Sequence, residues 1–308
     1  MGFDRLIKAI DKMDNPTVAG LDPKLEYIPA YIVEQAVRAH GNTPKAAAEA
    51  VLTYNKALID AMCDIVPAVK PQAAYYERFG VEGVGVLAQT VAYAKEKGMF
   101  VIMDGKRNDI GSTMQAYADA HLGTTPLPEQ GEFAAFGSDA LTVNGYLGTD
   151  GIEPLLPWCQ KQDAGIFVLV KTSNPSSGEL QDLLMSDGRT LYRHMGDLCE
   201  KWGAELRGAF GYSAVGAVVG ATHPQQLTEL RAALPHTFFL VPGYGAQGGG
   251  AADVAGAFDK DGRGAIINSS RAILCAWKKE ADCAPEDFAG AARREALRMK
   301  QALAAVRK

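Results

Sequence analysis

Short apolar runs alternate with longer segments in which apolar residues recur three and four positions apart, and the alternation persists along the whole chain. The short runs predict buried strands at 17–22, 66–70, 99–104, 140–144, 165–171, 215–220, 238–241 and 265–268. The longer pattern predicts helices over 44–64, 81–97, 151–161, 189–202, 224–233 and 285–305. The first ten residues read as a further amphipathic helix. Strand–helix alternation argues for a parallel sheet, and eight units predict an α/β (β/α)8 TIM barrel, with an open doubly wound sheet as the competing architecture. No composition break divides the chain, so residues 1–308 are expected to form a single barrel domain with N-terminal and C-terminal helices. Segments 121–138 and 172–188 read as extended loops, and the second is a candidate lid.

A barrel of this kind places its chemistry where the strands end. The third run leads into Asp104-Gly105-Lys106-Arg107-Asn108-Asp109. Strand alternation aims Asp104 and Lys106 the same way, and Asp109 follows in the loop. Two carboxylates and an ammonium at a buried strand's exit are costly to desolvate unless they face a shared cavity, although an Asp–Lys pair is common at strand ends. Other runs end in Asp22-Pro23, Lys70-Pro71 and Lys171-Thr172-Ser173-Asn174-Pro175. Taken singly, Asp22 reads as a turn former and Lys171 as an ordinary strand-end residue. Convergence of all these groups on one barrel face is harder to dismiss.

After the seventh run, Gly243, Gly245 and Gly248 reproduce a dinucleotide-binding spacing. That fingerprint belongs to the first strand–helix turn of its domain, so the reading is rejected here. Glycines after the seventh strand instead free backbone N–H groups for an anion, since this is the usual barrel phosphate site. Arg271, after the eighth run, can close on that phosphate with a bidentate fork.

The net charge of −5 and the absence of any basic tract argue against nucleic acid as a partner. No apolar run approaches a membrane span, and the N-terminus has no signal-peptide core. Leu6 rules out a myristoylation motif. Five scattered cysteines without a Cys-x-x-Cys pair fit reduced thiols in a cytoplasmic protein. The histidines form no His-x-x-x-His pair, so no protein-built metal site is expected.

The run Asp104 to Thr113 resembles the Asp-x-Lys-x-x-Asp-Ile-x-x-Thr signature of orotidine 5′-phosphate decarboxylases. Gly20-Leu21-Asp22-Pro23, Val69-Lys70-Pro71, the Lys171–Pro175 run and the 241–248 segment follow in the family's order. Together they are similar to the longer bacterial type, the type 2 subfamily, from Asp22 to Arg271. The resemblance implies cofactor-free decarboxylation of orotidine 5′-monophosphate to UMP and CO2, the last step of de novo pyrimidine nucleotide synthesis. It implies a charged network of Lys70, Asp104, Lys106 and Asp109, with Lys106 stabilising and protonating a C6 carbanion. It also implies a homodimer in which Asp109 and Thr113 reach the neighbouring site. Asp22 would bind the ribose, Ser173 or Asn174 the pyrimidine, and Gly245, Gln247 and Arg271 the phosphate. Three rivals compete with this reading. They are a metal-dependent keto-sugar-phosphate lyase or synthase, a Schiff-base aldolase using Lys70, Lys106 or Lys171, and a catalytically silent nucleotide-binding barrel.

Overall fold

The computed structural model describes residues 2–245 and 248–307. Parallel strands close a barrel: β1 Thr17–Leu21, β2 Ala68–Pro71, β3 Phe100–Arg107, β4 Ala140–Val143, β5 Gly165–Lys171, β6 Val215–Val219, β7 Phe239–Val241 and β8 Ala265–Ser269. Each strand pairs with the next in sequence, and β8 returns to β1 with Thr17 opposite Ile267. This is the (β/α)8 barrel that the alternation predicts, with helices packed around it.

Side-chain alternation sorts each strand into two cores. Val69, Val101, Met103, Leu141, Val143, Val168 and Ile267 face outward and pack against the helices. Val18, Ala68, Phe100, Ile102, Ala140, Phe167, Val218, Leu240 and Ile266 fill the barrel interior. The helix Asp4–Met13 and the residue before it close the bottom of this inner core, with Phe3, Leu6, Ile7 and Ile10 buried in it. The Phe3 ring stacks on Phe167 at 4.6 Å and on Phe238 at 5.3 Å. With the bottom filled, the inner positions left open are those at the C-terminal strand ends. By the same alternation they fall on Asp22, Lys70, Asp104, Thr142 and Asn268, all of which line one cavity.

Several elements depart from the sequence expectation. β3 continues past Asp104 to Arg107, with an irregular register between Met103 and Arg107 against β4. Segment 151–161 is not one helix: short 3-10 turns at Thr149–Gly151 and Glu153–Leu155 precede the helix Leu156–Lys161. Pro154 and Pro157 explain this, since proline supplies no N–H and crowds the preceding turn. Helices Ala30–His40 and Gly111–His121 lie outside the predicted set. The 121–138 loop carries a small hairpin of Thr125–Pro126 against Glu132–Phe133. The candidate lid holds a 3-10 turn, Pro175–Ser177, and a short helix, Gly178–Gln181. Among the described residues, no helix is long and apolar enough to cross a membrane.

Candidate active site

The cavity at the C-terminal end of the barrel has a volume of about 650 Å³. Its centre is one carboxylate. Asp104 is 7% exposed and receives three hydrogen bonds. Lys70 Nζ donates to Oδ2 at 2.6 Å, Lys106 Nζ to Oδ1 at 2.7 Å, and Thr142 Oγ1 to Oδ1 at 2.9 Å. Burial pushes the Asp104 carboxyl upward, but the ammonium groups of Lys70 and then Lys106 outweigh it and hold it well below the usual carboxylate range. Burial likewise disfavours the charged form of Lys70, yet Asp104, followed by Asp22, keeps that ammonium above its ordinary value. The two lysines differ in access. Lys70 is sealed in the barrel, whereas the Lys106 side chain is 47% exposed to the cavity mouth.

Lys106 reaches this position through an unusual backbone. Its φ is +46°, in the left-handed region that non-glycine residues rarely adopt. Its N–H donates to Thr142 Oγ1 at 3.0 Å, so a side chain on β4 supplies the acceptor where the register between the strands breaks. Thr142 therefore holds both the backbone of Lys106 and the carboxylate that Lys106 faces.

Asp22 enters from the end of β1, its Oδ1 3.9 Å from Lys70 Nζ. Asp22 Oδ1 and Asn268 Oδ1 are buried and have no hydrogen-bond partner among the described residues. Buried acceptors of this kind call for a ligand that brings donors, as vicinal hydroxyl groups would. Arg271, Pro242 and Gly243 line the cavity from the β7 and β8 side, and Ser173 and Asn174 from the loop after β5. Among the described residues, no group of three or more His, Cys, Asp or Glu side chains is placed to hold a metal ion.

The structure thus brings together Asp22, Lys70, Asp104, Lys106, Ser173, Asn174 and Arg271 around one cavity. Asp109 and Thr113 do not line it. Asp109 Oδ1 accepts from the Ile110 N–H at 2.8 Å, and Thr113 is exposed on the helix that follows. Gly245 also lies off this cavity, and its N–H donates to the Gly249 carbonyl within the loop at 2.7 Å. Gln247 lies outside the described residues. Lys171 turns away from the cavity beyond a register irregularity in β5. It is buried against Asp182, with Nζ to Oδ1 at 2.7 Å. Sequence reasoning missed Thr142, Asn268, Gln181, Lys24, Tyr27 and Tyr75 as cavity residues. Thr142 and Asn268 carried a usable signal, being polar residues at inward positions of otherwise apolar strands.

The sequence profile described as the orotidine 5′-phosphate decarboxylase / HUMPS family matches residues 6–284. An orotidine 5′-phosphate decarboxylase from Rhodopirellula baltica is 48% identical over 276 residues, covering 90% of this chain and 89% of its own length. One from Clostridium novyi is 39% identical over 301 residues, 98% of each chain. Among solved structures, the OMP decarboxylase of Leishmania donovani superposes with a TM-score of 0.71 at 30% identity, covering 98% of this chain and all of that one.

Proposed function

The chain belongs to the orotidine 5′-phosphate decarboxylase / HUMPS family, and from that premise we propose that its cavity converts orotidine 5′-monophosphate to UMP and CO2 without a cofactor. The observation that carries the reading is the Lys70–Asp104–Lys106 array, in which an exposed ammonium is held beside a buried carboxylate. When the C6–carboxylate bond breaks, its electron pair stays on C6 as a poorly delocalised carbanion. The Lys106 ammonium stabilises that charge and transfers a proton to C6, and solvent then reprotonates the amine. Asp104 aims Lys106 and repels the substrate carboxylate, a repulsion that ends as CO2 departs. Lys70 neutralises Asp104 from the inner side. Asp22 and Asn268 supply acceptors for the ribose hydroxyls. Arg271 serves the phosphate, whose binding energy is remote from the reacting carbon, and Gly245 and Gln247 are assigned to it by the resemblance alone.

The metal-dependent lyase reading is less well supported. Both oxygens of Asp104 are engaged by ammonium groups, which leaves it poorly placed as a ligand for a divalent cation.

Asp109 and Thr113 belong to this scheme only through a second subunit, and the proposed assembly is a homodimer in which each completes the neighbouring site. Exposed Ile110, Tyr146 and Leu147 after β3 and β4 offer apolar surface for that contact. All five cysteines are free, which fits the reducing cytoplasm. The test is the fall in ultraviolet absorbance when purified protein meets orotidine 5′-monophosphate, with and without EDTA. Turnover unaffected by EDTA is expected. No turnover by folded protein would overturn the proposal.

A further inference from the structure

The peptide unit that joins Gly105 to Lys106 is held at both of its polar ends. Its N–H donates to Thr142 Oγ1 at 3.0 Å, and its C=O accepts from Arg107 Nη1 at 3.3 Å. Arg107 folds back over Gly105 to reach that carbonyl, its Nε 3.4 Å from where a Cβ on the glycine would stand. The other arm of the guanidinium is anchored, Nη2 donating to Glu77 Oε1 at 2.5 Å, and the group lies 5.6 Å from the centre of the Tyr117 ring. Glu77 ends the short helix Ala74–Glu77 that follows β2. Immediately before this helix, the Ala73 N–H donates to the Asp104 carbonyl at 3.2 Å. One short segment therefore brackets residues 104–107, with Ala73 on the first of them and Glu77, through Arg107, on the last.

We infer that Arg107, backed by Glu77, is a positioning residue for Lys106, fixing the Gly105–Lys106 peptide plane so that the ammonium stays at Asp104. The inference rests on the reading of Lys106 as the proton donor. Lys106 has a φ of +46°, and rotation of the plane before it is the motion that would return it to extended backbone. That rotation takes the N–H away from Thr142 Oγ1. The same hydroxyl donates to Asp104 Oδ1, the oxygen that also receives Lys106 Nζ. Peptide, hydroxyl, carboxylate and ammonium thus form one ring, and withdrawing the N–H opens it. Thr142 restrains one end of the plane and Arg107 the other. Arg107 is not among the residues lining the cavity, so it acts on the reaction through Lys106. Its fork engages two acceptors at once, which the single nitrogen of a lysine at this position does not reproduce.

The test makes Arg107→Met, Arg107→Lys and Glu77→Ala in the full chain and reads two quantities. The first is the single-turnover rate at saturating orotidine 5′-monophosphate, with UMP affinity measured by calorimetry. The second is the rate of reductive methylation at Lys106, read by mass spectrometry against the exposed Lys45 of the same sample. Arg107→Met is expected to lower the turnover rate about tenfold with UMP affinity within about twofold, and to raise Lys106 labelling about threefold or more. Arg107→Lys should restore neither quantity, because it keeps the charge without the fork. Glu77→Ala should move both in the same direction by less. Restoration by Arg107→Lys would reduce the role to charge and overturn the inference. So would unchanged Lys106 labelling in Arg107→Met or, should that variant not fold, in Glu77→Ala. No turnover by the unmodified protein would instead overturn the decarboxylase reading, and the labelling rates would still decide whether Arg107 positions Lys106.

Discussion

Lys106 and Asp104 are two residues apart on one strand, and their side chains meet at 2.7 Å on the same side of the barrel mouth. An extended strand sends both toward the interior, but the left-handed turn at Lys106 and its N–H bond to Thr142 fix where the ammonium ends. The strain of that backbone is local and is offset by the hydrogen bonds that over-determine it. The outcome is an ammonium that cannot drift from Asp104 without breaking a charge-assisted bond, as the proposed proton donor requires.

Lys106→Ala is expected to reduce turnover at least about 10³-fold, because both carbanion stabilisation and proton delivery are lost. The side chain is half-exposed, so the fold survives the change. The absorbance assay on folded variant checks this, and near-normal turnover would remove Lys106 from the mechanism.

Asp104→Asn is expected to lower stability. It leaves the sealed Lys70 ammonium with only Asp22, at 3.9 Å, as a counter-charge. A broken buried pair costs about 3 kcal/mol, and urea unfolding should show a loss of that order. Adding Lys70→Met should recover most of it, since the uncompensated charge is then gone. Because the folded Asp104 carboxyl lies well below its ordinary value, its stabilisation is complete above about pH 4 and is withdrawn as pH falls toward the folded value.

The barrel and its charged centre were legible because both depend on period-two alternation. Buried strands are apolar on both faces, so a charge at the inward position of a strand end stands out, as Lys70 and Asp104 do. Other features obey different rules. The continuation of β3 through Gly105-Lys106-Arg107 depends on Thr142 supplying an acceptor from another strand, which no local pattern announces. Gln181 and Tyr75 reach the cavity from segments whose course follows from tertiary contacts rather than periodicity. The helix Gly111–His121 begins with Gly, Ser and Thr, poor helix formers that hid its start. Asp109 and Thr113 have no place in a one-chain cavity, so their assignment rests on resemblance alone.

His121 gives a pH dependence separate from the site. His121 is 3% exposed, and its ring stacks on Phe136 at 4.9 Å. Burial, with the nearby Arg107 charge, pushes its pKa down to about 4. The unfolded chain, near 6.5, binds the proton first, so stability should fall as pH drops from about 6.5 to about 4, by roughly 3 kcal/mol. His121→Phe removes the titrating group and should flatten that part of the profile in denaturant titrations. An unchanged slope would show that His121 is not its source.

Mixing two inactive variants tests the proposed dimer. If each site takes Lys106 from one subunit and Asp109 from its neighbour, Lys106→Ala and Asp109→Ala are both inactive alone. In a mixed dimer, the site built on the Asp109→Ala subunit keeps its own Lys106 and receives an intact Asp109 from the partner subunit. The other site lacks both. Random reassortment gives half mixed dimers with one intact site in two, so activity should return to about a quarter of normal. Co-refolding an equimolar mixture and assaying turnover measures this. Within one subunit, Asp109 lies off the cavity and Lys106 lines it, so a monomeric site could not recover by mixing. Recovery would therefore assign Asp109 to the neighbouring site, and its absence would leave each cavity dependent on its own chain.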